Sequence, residues 1–184
     1  SNLVGLAGVK EKKRFFQYDW KLNSLEPIEI YPKYRALLES AVKKRMVGER
    51  PIACMLSGGL DSSIISALVA KNMREMDSDS GSGSDSVTGS GTVTGGRKLH
   101  TFSIGLSGSP DLYYARIVSQ HIGSVHHEVE MTEEDFLAAI PEVVQGIQSF
   151  DTTSVRASVG NFLLAKYIRA NFDFKIIFNG DVSE

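Results

Sequence analysis

The sequence predicts an α/β fold in which a parallel sheet is flanked by helices. Three observations carry this. Short apolar runs, PIACML (51–56), KLHTFSI (98–104) and KIIFN (175–179), have strand length and end in turn residues. Between them lie segments whose apolar residues recur three and four apart, the spacing of one helix face. Strands that alternate with helical segments favour parallel neighbours joined by crossovers. Such sheets receive ligands at the carboxyl ends of their strands.

The elements follow in chain order. Residues 1–30 contain KEKKRFFQYDW, a basic run followed by aromatics without a clean period, and read as a surface connector. Trp20 and its neighbours suit packing on the core or against another domain. In PKYRALLESAVKKRM, Tyr34, Leu37, Leu38, Ala41, Val42 and Met46 share a helix face, with Pro32 in its first turn. PIACML is a buried strand and DSSIISALVAKNM a helix on which Ile64, Ile65, Leu68, Val69 and Met73 share a face. Residues 77–96 are nearly all Ser, Gly, Asp and Thr, too poor in apolar surface to offset their chain entropy, and read as a flexible insert. Within it GSGTVT starts like a dinucleotide fingerprint, but Thr94 takes the place of the third glycine and no strand precedes it.

KLHTFSI is then a strand, and SPDLYYARIVSQHIG a helix with Pro110 at its start and Gly123 just past its end. SVHHEVEM alternates like a strand. Thr132 caps a helix whose first turn holds three acids, where they suit the dipole. Another helix runs on from Pro141, a third covers VRASVGNFLLAKYIRAN, and KIIFN closes the sheet before GDVSE.

Composition narrows the functions. The chain has 184 residues and a net charge of −2, so no broad basic field is present to hold nucleic acid. No apolar run is long enough to span a membrane, and a cytoplasmic location is expected. The single cysteine, Cys54, lies in an apolar strand as a small buried hydrophobe and has no internal disulfide partner. His126 and His127 are neighbours on a strand, so they point to opposite faces and do not share a metal.

The stretch SGGLDSS, Ser57 to Ser63, follows the first strand directly. Gly58 and Gly59 let a ligand approach the backbone and let successive N–H groups converge. The helix behind them adds unsatisfied donors. Ser57, Ser62 and Ser63 add hydroxyls. Asp61 repels phosphate, so it either caps the helix or holds Mg²⁺ against a polyphosphate. No Gly-Lys-Ser/Thr occurs, which excludes a Walker-type grip. Both SGGLDSS and NGDVSE fall at predicted strand ends.

SGGLDSS after an apolar strand resembles the pyrophosphate loop of the N-type ATP pyrophosphatases, with their adenine nucleotide alpha hydrolase-like (PP-loop) fold. AVKKRM, SGGLDSSIISAL, TFSIGLSGSPDL, HIGSVHHEV, DTTSVRASVGNFLLAKYIR and IIFNGDVSE are similar, in order, to segments of glutamine-hydrolysing asparagine synthetases. The resemblance covers about Tyr31 to Glu184 apart from the insert. It implies a connector over 1–30 and a C-terminally truncated synthetase domain over 31–184. It implies amidation of aspartate by ATP through β-aspartyl-AMP, releasing AMP and pyrophosphate, with ammonia from a glutaminase domain outside this chain. ATP and Mg²⁺ are the implied cofactors, aspartate the second substrate, and a homodimer is one implied assembly. A noncatalytic nucleotide-binding module and a β-lactam synthetase-like ligase are the alternatives.

Carried over residue by residue, Ser57, Gly58, Gly59, Asp61 and Ser62 would grip pyrophosphate. Met55, Ile104, Asn179 and Gly180 would contact the nucleotide, although Met55 and Ile104 also suit plain core packing. Thr153 and Arg156 would handle aspartate or the intermediate, and a guanidinium is a bidentate partner for carboxylate or phosphate; a surface ion pair is the ordinary role of such an arginine. Asp181 would handle ammonia protons, and Glu184 would join Asp61 at magnesium. Here the sequence departs from the family. Where members commonly read Ser-Gly-Glu-Gly-Ser-Asp, this chain reads Asn179, Gly180, Asp181, Val182, Ser183, Glu184. The two acids have exchanged lengths, moving each carboxylate by about 1.5 Å, and Val182 replaces a glycine. A displacement of about 1 Å can cost on the order of a hundredfold in rate.

Overall fold

The computed structural model describes residues 17, 26–48, 50–79 and 98–180. The chain divides into two compact units, residues 1–35 and 36–184. Of the first unit, residues 26–35 are described almost alone, and they are largely helical. The elements are α1 (Pro27–Arg45), β1 (Ile52–Met55), α2 (Leu60–Asp79), β2 (His100–Leu106), α3 (Pro110–Ile122), β3 (Val125–Met131), α4 (Glu133–Ile147), α5 (Thr152–Asn171) and β4 (Ile176–Phe178).

The four strands form one sheet in the order β3-β2-β1-β4, all parallel. Cys54 pairs with Thr101 on one side and with Phe178 on the other. The expected α/β class with a parallel sheet and flanking helices is therefore what the chain adopts. The chain builds outward from β1 through β2 to β3, then returns through α4 and α5 to place β4 on the opposite side of β1. The direction of winding reverses between β1 and β4, which makes that carboxyl edge the sheet's switch point.

Alternation along the strands sorts residues between two cores. Cys54 and Phe178 join Val42 of α1, Met46 just past its end, Val69 and Ala70 of α2 and Ile122 of α3. Ala53 and Phe102 face the other way, onto Leu164 and Ile168 of α5, with Met55 and Ile104 packed beside them. α4 packs on α5 through Ala139, Val143, Val155 and Val159. Cys54 is fully buried, and burial pushes its thiol up to about 12 despite the Ser66 hydroxyl beside it. It is the inert hydrophobe the sequence suggested.

Helix ends follow their residues. Pro110 opens α3, and Gly123 closes it in the left-handed conformation at φ 69°. Thr132 and Asp135 form a reciprocal capping box at α4, each bonding the other's backbone N–H. Three boundaries differ from expectation. α1 starts at Pro27, so Pro32 lies inside it and the last four residues of the expected connector are helical. A proline there removes one bond near an end of the helix, while the rest of the ladder continues. On the apolar face expected of α1, Tyr34 and Leu37 are exposed, whereas Val42 and Met46 are buried; Ile64 of the α2 face is exposed as well. α4 runs unbroken through Pro141, whose surroundings are exposed, so water can serve the carbonyl it frees. α2 continues to Asp79, which turns the first three residues of the expected 77–96 insert into helix; residues 80–97 lie outside the described residues.

His126 and His127 do face opposite sides. His126 lies toward α3, within 2.9 Å of Thr101 Oγ1 and 3.1 Å of Ser103 Oγ. His127 stacks on Phe102 and lies 2.9 Å from His100 Nδ1. Burial, the leading cause in each case, holds His100, His126 and His127 below the usual imidazole value. The charge of His100 adds to this at His127. At His126, Glu128 pulls the other way while His127 and Arg116 push down. With depressed folded values, the unfolded chain takes up protons first as pH falls, so these histidines weaken the fold below about pH 6.5. The thermal midpoint is expected to drop between pH 7.5 and 5.5, and to drop less in His127→Phe. A midpoint equally flat in both proteins over that range would show that the histidines carry no linkage. The depressed carboxylates, such as Glu128, act in a separate window below about pH 4.5.

Candidate functional site

β1 ends at Met55, and Leu56, almost fully buried, continues the sheet by donating to the Phe102 carbonyl at 2.8 Å. The chain then turns through Ser57, Gly58 and Gly59 into α2. Gly58 has φ 81°, a conformation that L side chains rarely adopt. It also lies on the backbone of α3: a Cβ there would meet Ala115 N at 2.5 Å and Tyr114 Cβ at 2.6 Å. Gly59 has neither constraint, since its nearest neighbour would be Ser57 Oγ at 3.4 Å.

Hydroxyls tie the turn together. Ser57 and Ser62 share a bond between their Oγ atoms at 3.0 Å, and Ser57 N donates to Ser62 Oγ. Ser62 Oγ and Ser63 Oγ both donate to the Gly59 carbonyl, at 3.2 and 2.6 Å. Ser63 N also reaches that carbonyl. Among the described residues the amides of Gly58, Leu60, Asp61 and Ser62 have no acceptor. These are the orphan donors of a helix N-terminus and its approach, gathered over five residues.

Asp61 is the second residue of α2, not its cap, which corrects one of the two expectations for it. Its carboxylate is exposed and makes no hydrogen bond or ion pair among the described residues. Among those residues no three His, Cys, Asp or Glu side chains gather as a metal site. Asp181 and Glu184, the expected proton-handling and second magnesium acids, lie outside the described residues, as does Val182.

The end of β4 reaches the same place. Gly180 is buried, and a Cβ on it would stand 2.5 Å from Ser62 N and 2.4 Å from Ser62 Cα. Two segments about 120 residues apart in sequence thus meet at one helix N-terminus. Asn179, one step before, is exposed at the edge. Met55 and Ile104 are half-buried beneath, in the core that faces α5.

α5 approaches from the other face. Phe172, just past its end, packs on Phe102 and His100, near the start of β2, while a Cβ on Gly160 would lie 3.8 Å from Ile104, near the end of β2. The helix therefore begins toward the carboxyl edge. Arg156 and Thr153 share Gly160's stripe, about 6 and 10 Å further along the axis toward that edge. Both are exposed, and Arg156 has no hydrogen-bond or ion-pair partner among the described residues. Asp151 orders this end by accepting from Ser154 N at 2.8 Å, and those bonds hold its carboxyl below the usual range.

A cleft of about 510 Å³ lies elsewhere, at the amino ends of the strands, lined by Met46, Ile52, Met73, His100, Phe172 and Phe174 among others. Arg50, Lys98, Asp77 and Asp173 also line it, charges of both signs at the edge opposite the turn. What the sequence did not point to is the wall of the cradle, Tyr114 and Ala115. Nothing in an amphipathic helix marks which two residues will bear a distant glycine.

The family model for asparagine synthase matches residues 33–184. The chain belongs to the asparagine synthase family. It is 43% identical over 150 residues to a glutamine-hydrolysing asparagine synthetase of Gallus gallus, and 42% identical to that of Homo sapiens. In both cases the match covers 82% of this chain and 24% of the relative, so the chain spans about a quarter of the length of the curated relatives it matches. Among solved structures, an NAD⁺ synthetase from Burkholderia pseudomallei overlays with a TM-score of 0.48 at 11% identity, covering 86% of this chain and 54% of that one. So loose an overlap adds nothing to the strand order. No described helix is long and apolar enough to cross a membrane.

Proposed function

We propose that the crevice between the ends of β1 and β4 binds ATP by its β- and γ-phosphates, and that the chain carries the adenylating centre of an asparagine synthetase. The observation that carries this is the set of four unpartnered amides from Gly58 to Ser62 with Gly180 lying against them. The helix dipole alone contributes only about 0.3–1 kcal/mol. Each hydrogen bond to a charged group contributes about 1.5–3 kcal/mol, so the amides dominate. Four of them exceed the roughly 4 kcal/mol that millimolar affinity represents, leaving a margin for ordering costs.

With the phosphates seated, Ser57 and Ser62 add hydroxyl donors by turning their protons from each other and from the Gly59 carbonyl to the phosphate oxygens. Asn179 and Gly180 border the nucleotide from β4, and Met55 and Ile104 form its apolar floor. Arg156 and Thr153 hold aspartate, the guanidinium pairing with a carboxylate. Aspartate's side-chain carboxylate then attacks the α-phosphorus, the bond to the bridging oxygen breaks, and pyrophosphate leaves with the electron pair. Ammonia, supplied by glutamine hydrolysis elsewhere in the assembly, attacks the acyl carbon of β-aspartyl-AMP. AMP departs, and Asp181 accepts the ammonia proton.

Magnesium fits the donor set. It binds through one or two carboxylates together with phosphate oxygens, and Asp61 offers an exposed carboxylate beside the phosphate cradle. Asp61, with Glu184 as a second ligand, would hold the ion, which would offset phosphate charge.

Calorimetric titration with ATP and Mg²⁺ tests the binding half. Saturable binding at or below millimolar concentration is expected, and no heat at millimolar ATP overturns the reading. Aspartate-dependent formation of AMP and pyrophosphate, with ammonium as nitrogen donor, tests the chemistry. A nucleotide-binding module would bind ATP and form neither product.

A further inference from the structure

The loop does not hold its own shape alone. Gly58 rests on the α3 backbone at Tyr114 and Ala115, so the position of α3 sets where the amides of the turn point. The next residue of α3 is Arg116. Its Nε and one terminal nitrogen donate to both oxygens of Glu128 on β3, at 2.8 and 2.6 Å. Glu128 stands beside His126 at 3.8 Å, on the strand face that carries the Thr101–Ser124–Ser119 hydroxyl chain into α3. A forked pair of this kind fixes orientation as well as distance.

We infer that Arg116 and Glu128 are positioning residues for the phosphate cradle, locking α3 to β3 so that its backbone at Tyr114–Ala115 presents a fixed floor to Gly58. This rests on the nucleotide reading given above and names what regulates the geometry of that same site. Arg116 is half exposed and Glu128 largely covered, with side-chain exposures of 53% and 20%. With its guanidinium open to water, the pair contributes only modestly to global stability. A purely structural pair would therefore leave a weak and general trace. A positioning pair leaves a local one, because small displacements of donors are felt strongly by the group they hold.

Lys166 of α5 supplies the comparison. It donates to both oxygens of Glu142 on α4, at 2.8 and 2.7 Å; the two cations are similarly exposed, while Glu142 is more open than Glu128. It touches neither α3 nor the turn among the described residues. The test is calorimetric affinity for ATP with Mg²⁺, alongside thermal unfolding, for the unaltered chain and for Arg116→Met, Glu128→Gln and Lys166→Met. Arg116→Met and Glu128→Gln are expected to weaken binding about twofold to thirtyfold, with small midpoint shifts of the same order as that of Lys166→Met. Lys166→Met is expected to bind as the unaltered chain does. The exchanged pair, Arg116→Glu with Glu128→Arg, is expected to recover most of the affinity. Unchanged affinity in Arg116→Met and Glu128→Gln overturns the inference while leaving the nucleotide reading intact. An equal loss in Lys166→Met also overturns it, because the effect would then be one of general stability. Failure of the unaltered chain to bind defeats the nucleotide reading and this inference with it.

Discussion

Gly180→Ala is expected to abolish measurable binding of ATP with Mg²⁺ while leaving most of the fold intact. The new methyl would stand 2.4 Å from Ser62 Cα, 2.5 Å from Ser62 N and 2.8 Å from the Asp61 carbonyl carbon. These are backbone atoms of the first turn of α2, so no side chain can swing aside to make room. Either β4 retreats from β1, or the turn moves and its free amides lose their convergence. Overpacking of this kind costs about 1–3 kcal/mol in stability, modest for a folded domain. The expected loss of affinity, at least about tenfold or roughly 1.4 kcal/mol, is of similar size, but it acts at the donors themselves and takes a millimolar site out of calorimetric range. Gly59→Ala supplies the contrast in stability, since space is open there and only Ser57 Oγ comes as near as 3.4 Å. Thermal unfolding and calorimetry on the two variants check this. A Gly180→Ala protein that binds as tightly as the unaltered chain would show that the β4 end does not border the site.

Phe102→Ala is expected to be the most destabilising single truncation, by about 3–5 kcal/mol. Phe102 is fully buried in β2 and pairs in register with Met55 and His127 on its two sides. Its ring stacks on His127 at 4.7 Å and meets Phe172 edge-on at 5.0 Å, with Phe174 at 5.8 Å. Edge-to-face contacts of this kind add to the area the ring buries. Phe102 also gives the backbone carbonyl that receives Leu56, the last residue before the turn. A cavity here would loosen the strand that carries the cradle, so denaturant midpoint and ATP affinity are expected to fall together. A loss of less than about 1 kcal/mol would mean that α5 collapses into the vacated space.

Much of this was legible in the residues, because the signals were local. Strand and helix periods gave the α/β class. Pro110, Gly123 and Thr132 marked helix ends through backbone chemistry that neighbouring residues alone decide. The Gly-Gly turn announced a cradle because glycine and hydroxyl spacing determines where N–H groups can converge. What was not legible depends on contacts far apart in sequence. Nothing in KIIFN says that it pairs with β1 and not with β3, yet that pairing brings Gly180 onto Ser62. Nothing distinguishes Gly58, which bears on α3 with φ 81°, from Gly59, which has room for a side chain. Asp61 looked equally suited to capping, and only the start of α2 at Leu60 removes that role. The prolines misled for a related reason. A proline ends a helix when its surroundings offer nothing better, and at Pro32 and Pro141 the rest of the helix outweighs one lost bond.

The central claim is that phosphate oxygens are received by the amides of the turn between β1 and α2. Backbone amide chemical shifts during titration of the isotopically labelled chain with pyrophosphate and Mg²⁺ test it most directly. The largest changes are expected at Gly58, Leu60, Asp61, Ser62 and Gly180, with smaller ones at Tyr114 and Ala115. No change at those amides, or changes confined to the residues around Met46, Ile52 and His100 at the opposite edge of the sheet, would contradict it.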